Sequence, residues 1–138
     1  MLLRTLLSAL GAEHVLEAEN AEEASKLLRR HPFDLAIVDH LLGGQTGLAW
    51  THWVVHSPES PHQDLPVILI SGHNDEHLPR AALAAGARGF IRKPFGARDL
   101  WIRVAQALST KPSRRDKASR DASAGPVAQI ALLAPHSP

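Results

Sequence analysis

The stretch of residues 33–47 constrains the fold of this chain more than any other part of the sequence. It contains a short run of apolar and β-branched residues, 35–38, which is followed directly by the carboxylate of Asp39 and a glycine-rich turn. Such a run is typical of a strand buried on both faces of a parallel sheet. In an open α/β sheet, ligands bind at the edge formed by the carboxyl ends of the strands. The pattern therefore predicts a buried strand that carries Asp39 to the functional edge of a sheet.

Further segments repeat this pattern of a short strand. Residues 66–72 predict a buried strand that presents the hydroxyl of Ser71, and residues 89–94 predict a strand that presents the ammonium group of Lys93. Another short strand is predicted at residues 14–18. A carboxylate, a hydroxyl and an ammonium group at successive strand ends suit the acceptance of a phosphoryl group, with the carboxylate as nucleophile. Ordinary polar residues at strand ends are the alternative interpretation.

Amphipathic helices are predicted between the strands. Apolar spacing and end signals predict helices at residues 2–10, 20–30, 48–56, 78–85 and 100–108. Asn20 is placed to cap the second of these helices, and Glu23 is placed to reach back to the Asn20 amide. The alternation of strands and helices predicts an α/β domain whose parallel sheet has helices on both faces.

Length and composition limit the class of protein. A chain of 138 residues with 44% hydrophobic and 21% charged residues is typical of one soluble domain. Cysteine is absent, which excludes disulfides and thiolate metal sites. Arg4 and Thr5 interrupt the apolar N-terminal stretch, and no apolar run is long enough to cross a bilayer. We therefore expect a cytoplasmic protein.

The charge distribution divides the chain into two regions. Residues 1–110 hold 10 basic and 12 acidic residues, whereas residues 111–138 hold 5 basic and 2 acidic residues among Ser, Ala and Pro. This composition predicts a folded domain followed by a solvated, disordered tail. Contact of the basic tail with nucleic acid or anionic lipid is the alternative.

Over residues 1 to about 110, the chain resembles the receiver domain of bacterial two-component response regulators. The matching positions are the phosphoacceptor Asp39 with Gly47 eight residues later, Ser71, the pair Gly86-Ala87, the aromatic Phe90, and Lys93-Pro94. The resemblance implies a flavodoxin-like, doubly wound sheet of five parallel strands in the order 2-1-3-4-5. It also implies a cis bond before the proline.

The resemblance implies roles for these residues. Asp39 accepts the phosphoryl group, and Lys93 and Ser71 assist. Ser71 and Phe90 act as switch residues that alter the surface of the fourth helix, fifth strand and fifth helix of the family fold. Mg²⁺ is held by an acidic pair after the first strand, by the phosphoacceptor, and by one backbone carbonyl, which here belongs to Leu41.

Two departures from the family pattern concern the metal. Leu42-Gly43 replaces the usual Met-Pro after the phosphoacceptor, and the chain begins inside the first helix, so the first strand and its acidic pair are missing. Asp39 and the Leu41 carbonyl are too few oxygen ligands for Mg²⁺, so we expect an incomplete site. Glu17 and Glu19 are candidate substitutes, but two solvent-exposed acids are the favoured interpretation. We also expect the natural gene product to be longer.

Histidines offer a second candidate for metal binding. His52 and His56 have i,i+4 spacing on a predicted helix, and His73 and His77 are spaced alike. A transition-metal site needs further ligands, so we interpret both pairs as solvated. His40 lies beside the phosphoacceptor, and no role is assigned to it.

The absent first strand leaves a vacancy at the centre of the predicted sheet, so a marginally stable or dimerising protein is expected. Residues 127–133 form the one apolar run in the tail and have the length of a buried strand. The linker of residues 109–125 is long enough to let this run enter the sheet parallel to the other strands. Residues 134–136 would then stand where the acidic pair belongs, and the Mg²⁺ site would not be restored. A disordered tail remains the expectation from composition.

These observations predict a single-domain response regulator that is not an enzyme. It takes a phosphoryl group onto Asp39 from a histidine kinase or phosphotransfer protein and acts through an unknown downstream protein, since residues 111–138 leave no room for a DNA-binding domain. A pseudo-receiver, which binds partners without phosphate, is the alternative. A flavodoxin-like or phosphatase-like enzyme is disfavoured, because the sequence offers neither a phosphate-cradling glycine loop nor a second catalytic acid.

Overall fold

A computed structural model describes residues 2–42, 45–72, 76–109 and 129–134. The helices in these residues are α1 (Leu2–Ala9), α2 (Ala21–Arg30), α3 (Gly47–His56), α4 (Leu78–Ala85) and α5 (Ala97–Ser109). The strands are β1 (His14–Ala18), β2 (Leu35–Asp39), β3 (Val67–Ser71), β4 (Gly89–Arg92) and β5 (Gln129–Leu133).

The strands form one parallel sheet in the order β1-β5-β2-β3-β4. Helices α2, α3 and α4 pack against one face of the sheet, and α1 and α5 pack against the other. This arrangement confirms the predicted doubly wound α/β fold with a parallel sheet. The runs in β2 and β3 are apolar at nearly every position because both of their faces are covered by helices.

Strand β5 occupies the central position between β1 and β2. Ile130 is paired with Val15 on one side and with Leu35 on the other. For these residues the expectation of a disordered tail is wrong, and the alternative of an inserted strand is confirmed. The reason is burial: the apolar residues from Ile130 to Leu133 are at most 2% exposed, although the surrounding sequence is polar. Residues 110–128 and 135–138 lie outside the described part, so the domain boundary at residue 110 stays a prediction.

The strand order and the faces covered by α4 and α5 relate the hands of the crossovers that lead to β4 and β5. From β3 to β4 the chain moves outward along the sheet, with α4 on one face. From β4 to β5 it moves in the opposite direction, with α5 on the opposite face. Reversing both the direction and the face leaves the hand unchanged, so both crossovers have the same hand, as the preference for right-handed crossovers requires.

Local signals at the helix ends agree with most of the sequence analysis. The Asn20 side chain accepts a hydrogen bond from the Glu23 amide at 2.9 Å, as expected of a capping residue. Glu23 Oε1 accepts from the amide of Glu19 at 2.9 Å. The prediction that Glu23 reaches the Asn20 amide is therefore wrong by one residue. None of the described helices is long and apolar enough to span a membrane.

Candidate functional site

The candidate site lies where the carboxyl ends of β2, β3 and β4 meet. Asp39 is the last residue of β2 and is paired with Ile70 of β3, while Ser71 is paired with Arg92 of β4. The backbone amide of Lys93 donates a hydrogen bond to the Ser71 carbonyl at 2.8 Å, which extends the ladder by one residue. The three strand ends predicted from the sequence therefore share one edge of the sheet.

Asp39 and Lys93 form the closest polar contact of this edge. Lys93 Nζ lies 2.7 Å from Asp39 Oδ2, and the Asp39 side chain is 13% exposed whereas that of Lys93 is 47% exposed. The other carboxylate oxygen, Oδ1, accepts a hydrogen bond from the Leu41 amide at 2.9 Å. Both oxygens of the carboxylate thus face a positive or partly positive group.

Ser71 is the least accessible of the three predicted site residues. It ends β3 and is 1% exposed. It belongs to the same edge as Asp39, but a role of its hydroxyl on a phosphoryl group stays a prediction.

Phe90, the predicted switch residue, lies within β4 and packs against the core beneath α4. The guanidinium of Arg92 lies 5.5 Å from the centre of its ring. The Phe90 side chain is half-buried, and its role as a switch stays a prediction. The Lys93-Pro94 bond is cis, as the resemblance implied.

The surroundings of Gly47 explain why residue 47 is a glycine. Its amide donates to the His40 carbonyl at 2.8 Å, which closes the loop after β2. A Cβ atom at residue 47 would collide with the Asp39 carbonyl oxygen and would lie 2.9 Å from Val38 Cγ1. Only glycine lets α3 begin this close to the strand that carries Asp39. The sequence pointed to Gly47 through the resemblance alone, since no local signal reveals such a close approach.

The described residues do not supply the oxygen ligands that Mg²⁺ requires. The register of Val38 with Leu133 places Ala134 beside Asp39, and its methyl side chain cannot bind a metal. Among the candidate substitutes, Glu17 is paired with the guanidinium of Arg4 at 2.6 Å. In residues 2–42, 45–72, 76–109 and 129–134 no group of three or more His, Asp or Glu could hold a metal ion.

Glu19 does not lie beside Asp39 in the sheet. By the register of β1 with β5 and of β5 with β2, Glu19 stands two strands away from Asp39. Two strand spacings amount to roughly 10 Å between backbones. An Mg²⁺ ion holds its protein oxygens at about 2 Å, so one ion would join the two residues only through extended side chains. The donors that the described residues place beside Asp39 do not fit the metal.

The histidine pairs add no metal centre in the part of the chain that the structure describes. The rings of His52 and His56 lie side by side on α3, with centroids 4.6 Å apart, and both side chains are exposed. No third donor joins them among the described residues. His73 lies outside the described residues, so its pair with His77 is untested.

The fold and the edge together define a class of protein. A doubly wound parallel sheet with a strand-end Asp, a strand-end Ser and a Lys before a cis-proline is the arrangement of a signal receiver. The sequence profile described as response regulator receiver domain matches residues 1–105. The chain therefore belongs to the response regulator receiver domain family.

Individual relatives support this assignment. The regulatory protein VirG of Rhizobium rhizogenes is 33% identical over 100 residues, which is 72% of this chain and 39% of that protein. The response regulator protein PilR of Pseudomonas aeruginosa is 33% identical over 104 residues, which is 75% of this chain and 22% of that protein. The chain thus spans less than half the length of these curated relatives.

Solved structures resemble the chain in the same way. The receiver domain of NtrX from Brucella abortus superposes with a TM-score of 0.71 at 32% identity, covering 80% of this chain and 89% of that one. A response regulator from Chloroflexus aurantiacus superposes with a TM-score of 0.71 at 30% identity, covering 78% of this chain and 86% of that one.

Proposed function

We propose that this chain receives a phosphoryl group on Asp39 in a two-component signalling pathway. The observation that carries the proposal is the contact of 2.7 Å between Asp39 Oδ2 and Lys93 Nζ at the carboxyl edge of the sheet. In a receiver, the nucleophile needs a cation nearby, because negative charge accumulates on the transferred group. Family membership and this geometry support the proposal together.

The proposed reaction is an in-line displacement at phosphorus. A carboxylate oxygen of Asp39 forms the new P–O bond while the P–N bond to a phosphohistidine of the donor breaks. The imidazole leaves with the electron pair and takes up a proton from water. Lys93 remains charged throughout and turns from the carboxylate to the phosphoryl oxygens. Ser71, at the end of the neighbouring strand, is proposed to donate its hydroxyl hydrogen to one of those oxygens.

The proposed output is a change in partner binding on the face formed by α4, β4 and α5. Helices α4 and α5 carry large apolar side chains in contact with solvent: Leu83 on α4 is 68% exposed, and on α5 Trp101 is 49% and Ile102 is 40% exposed. Exposed apolar groups of this kind are used at protein interfaces. The proposed partners are a histidine kinase or phosphotransfer protein and a downstream protein, and a second copy of the chain is a further candidate.

Catalysis by the chain itself is not part of the proposal. A cyclic di-GMP phosphodiesterase of Thermotoga maritima is 29% identical over 102 residues, but those residues are only 26% of that protein. We propose that the chain corresponds to a receiver alone and acts in the cytoplasm by binding other proteins.

Acetyl phosphate, which transfers a phosphoryl group and releases acetate, tests the proposal. The chain is incubated with this donor, and its intact mass is measured. We expect a gain of one phosphoryl group that Asp39→Asn abolishes and Asp64→Asn retains, since Asp64 is exposed and lies before β3. The absence of any Asp39-dependent gain, with acetyl phosphate or with a phosphorylated kinase domain, would contradict the proposal.

The pseudo-receiver is the second candidate function. The observation that favours it is the incomplete set of metal ligands that the described residues place around Asp39, which has Lys93 as its partner. It predicts that Asp39→Asn leaves partner binding unchanged. The phosphoryl-accepting function predicts instead that binding changes when Asp39 is phosphorylated.

A further inference from the structure

Strand β5, which lies beside Asp39, determines which side chains contact a ligand at this edge of the sheet. Strand β5 continues in register with β2, so Ala134 follows Leu133 at the level of Asp39. The Ala134 amide donates to the Ala18 carbonyl at 3.0 Å, which holds this backbone in the sheet. The neighbouring strand therefore brings a methyl group, and no side-chain oxygen, to the side of Asp39 that faces β1.

The carboxylate itself is already engaged on both oxygens. Oδ2 is paired with the Lys93 ammonium at 2.7 Å, and Oδ1 accepts from the Leu41 amide at 2.9 Å. A divalent cation that bound Oδ2 would have to displace the ammonium or stand next to it. Either event costs free energy, because an ion pair is lost or two positive charges are brought together.

The number of oxygen donors also argues against binding of a divalent cation at Asp39. Mg²⁺ prefers about six oxygens in octahedral geometry, and its affinity depends on how many charged ligands the protein supplies. The described part of the edge supplies one carboxylate and the carbonyl of Leu41. Strand β1, two strands away from Asp39, carries Glu17, which is paired with Arg4, and Glu19 follows the end of β1.

We propose that the Lys93 ammonium neutralises the charge of the transferred phosphoryl group at this edge, and that Asp39 accepts this group without a divalent metal ion. The proposal rests on the proposed function in one respect, since it takes Asp39 as the acceptor. It goes further by assigning the charge neutralisation to a side chain of this chain. In the reaction the bond from phosphorus to the leaving group, P–N in a phosphohistidine or P–O in acetyl phosphate, breaks as the new P–O bond to Asp39 forms, and no metal takes part.

The first arm of the test measures metal binding without any phosphorylation. The full chain and its Asp39→Asn variant are titrated with Mg²⁺ by calorimetry, and Mn²⁺ serves as a paramagnetic probe in NMR. We expect no Asp39-dependent binding at millimolar metal. Because the whole chain is titrated, ligands from residues outside the described part would be detected, and Asp39-dependent binding would overturn the proposal.

The second arm introduces the missing ligand. Ala134→Asp places a carboxylate beside Asp39, and Ala134→Asn is the matched uncharged control. We expect Ala134→Asp to bind Mg²⁺ roughly tenfold or more tightly than Ala134→Asn, because an added carboxylate raises the charge of the ligand set. Equal binding by two folded variants would contradict the position assigned to residue 134. If either variant fails to fold by circular dichroism, the wild-type titration alone decides.

The third arm measures labelling by acetyl phosphate in Mg²⁺ and in EDTA. We expect equal labelling of the wild-type chain in both solutions, and loss of labelling in Lys93→Ala. Labelling in Mg²⁺ that EDTA abolishes would overturn the inference and leave the proposed function intact. Absence of labelling in both would contradict the proposed function, while the titration would still decide about the metal.

Discussion

Asp34 and Gln129 hold each other through two hydrogen bonds across a separation of 95 residues. The Gln129 amide donates to Asp34 Oδ2 at 3.0 Å, and the Asp34 amide donates to the Gln129 carbonyl at 2.9 Å. The Gln129 side chain also donates to the Pro32 carbonyl. These bonds join the start of β5 to the start of β2, so they set the register in which the inserted strand lies.

The Asp34 carboxylate should therefore stabilise the fold. We expect Asp34→Ala to lower the free energy of unfolding by about 1 kcal/mol, the usual contribution of a hydrogen bond to a charged acceptor that remains partly exposed. Urea denaturation followed by tryptophan fluorescence measures this change. Asp64→Ala, which removes another exposed carboxylate, should leave the midpoint unchanged. Equal midpoints for the two variants would indicate that the contact does not hold β5.

Insertion of β5 predicts a larger effect from its buried side chains. Leu133 is 1% exposed, so we expect Leu133→Ala to destabilise the chain by about 2–5 kcal/mol through lost burial and a residual cavity. Leu83→Ala is the control, since Leu83 is 68% exposed. The comparison of urea midpoints tests the insertion. A Leu133 variant as stable as the Leu83 variant would mean that residues 129–133 do not lie in the sheet.

The close approach at Gly47 predicts a combined loss of stability and function. We expect Gly47→Ala to cost about 1–3 kcal/mol, because the added methyl group collides with the Asp39 carbonyl and with Val38. Phosphorylation of Asp39 should decrease, since its backbone must shift. Gly96→Ala is the matched control, because nothing lies within 4 Å of a Cβ at residue 96. Wild-type labelling and stability in the Gly47 variant would show that the loop absorbs the methyl group.

Lys93 should matter for chemistry much more than for stability. Its side chain is 47% exposed, and ion pairs this accessible to water contribute about 0–1 kcal/mol. We expect Lys93→Ala to retain a nearly wild-type urea midpoint and to lose phosphorylation of Asp39. Lys26→Ala removes an exposed lysine paired with Glu22 on α2 and should retain both properties. A large loss of stability in the Lys93 variant would assign the residue a structural role.

The sequence alone was enough to identify the strand ends that form the site. Asp39, Ser71 and Lys93 each follow a short apolar run, and such runs are local signals that need no knowledge of distant residues. The helix cap at Asn20 was predictable for the same reason. The amide that Glu23 contacts, that of Glu19 and not of Asn20, is decided by the path of the chain before the helix, which the capping pattern does not specify.

The placement of residues 129–133 was decided by tertiary structure. Their composition allows a strand and equally allows a solvated tail, and the difference depends on the ladder partners that β1 and β2 offer on both sides. The same holds for the 2.7 Å contact of Asp39 with Lys93, which exists only because β2, β3 and β4 end at one edge. Local sequence determines which segments can become strands, since the apolar pattern is local. Their order, their neighbours and the ligands beside Asp39 depend on burial and pairing between segments far apart in the chain.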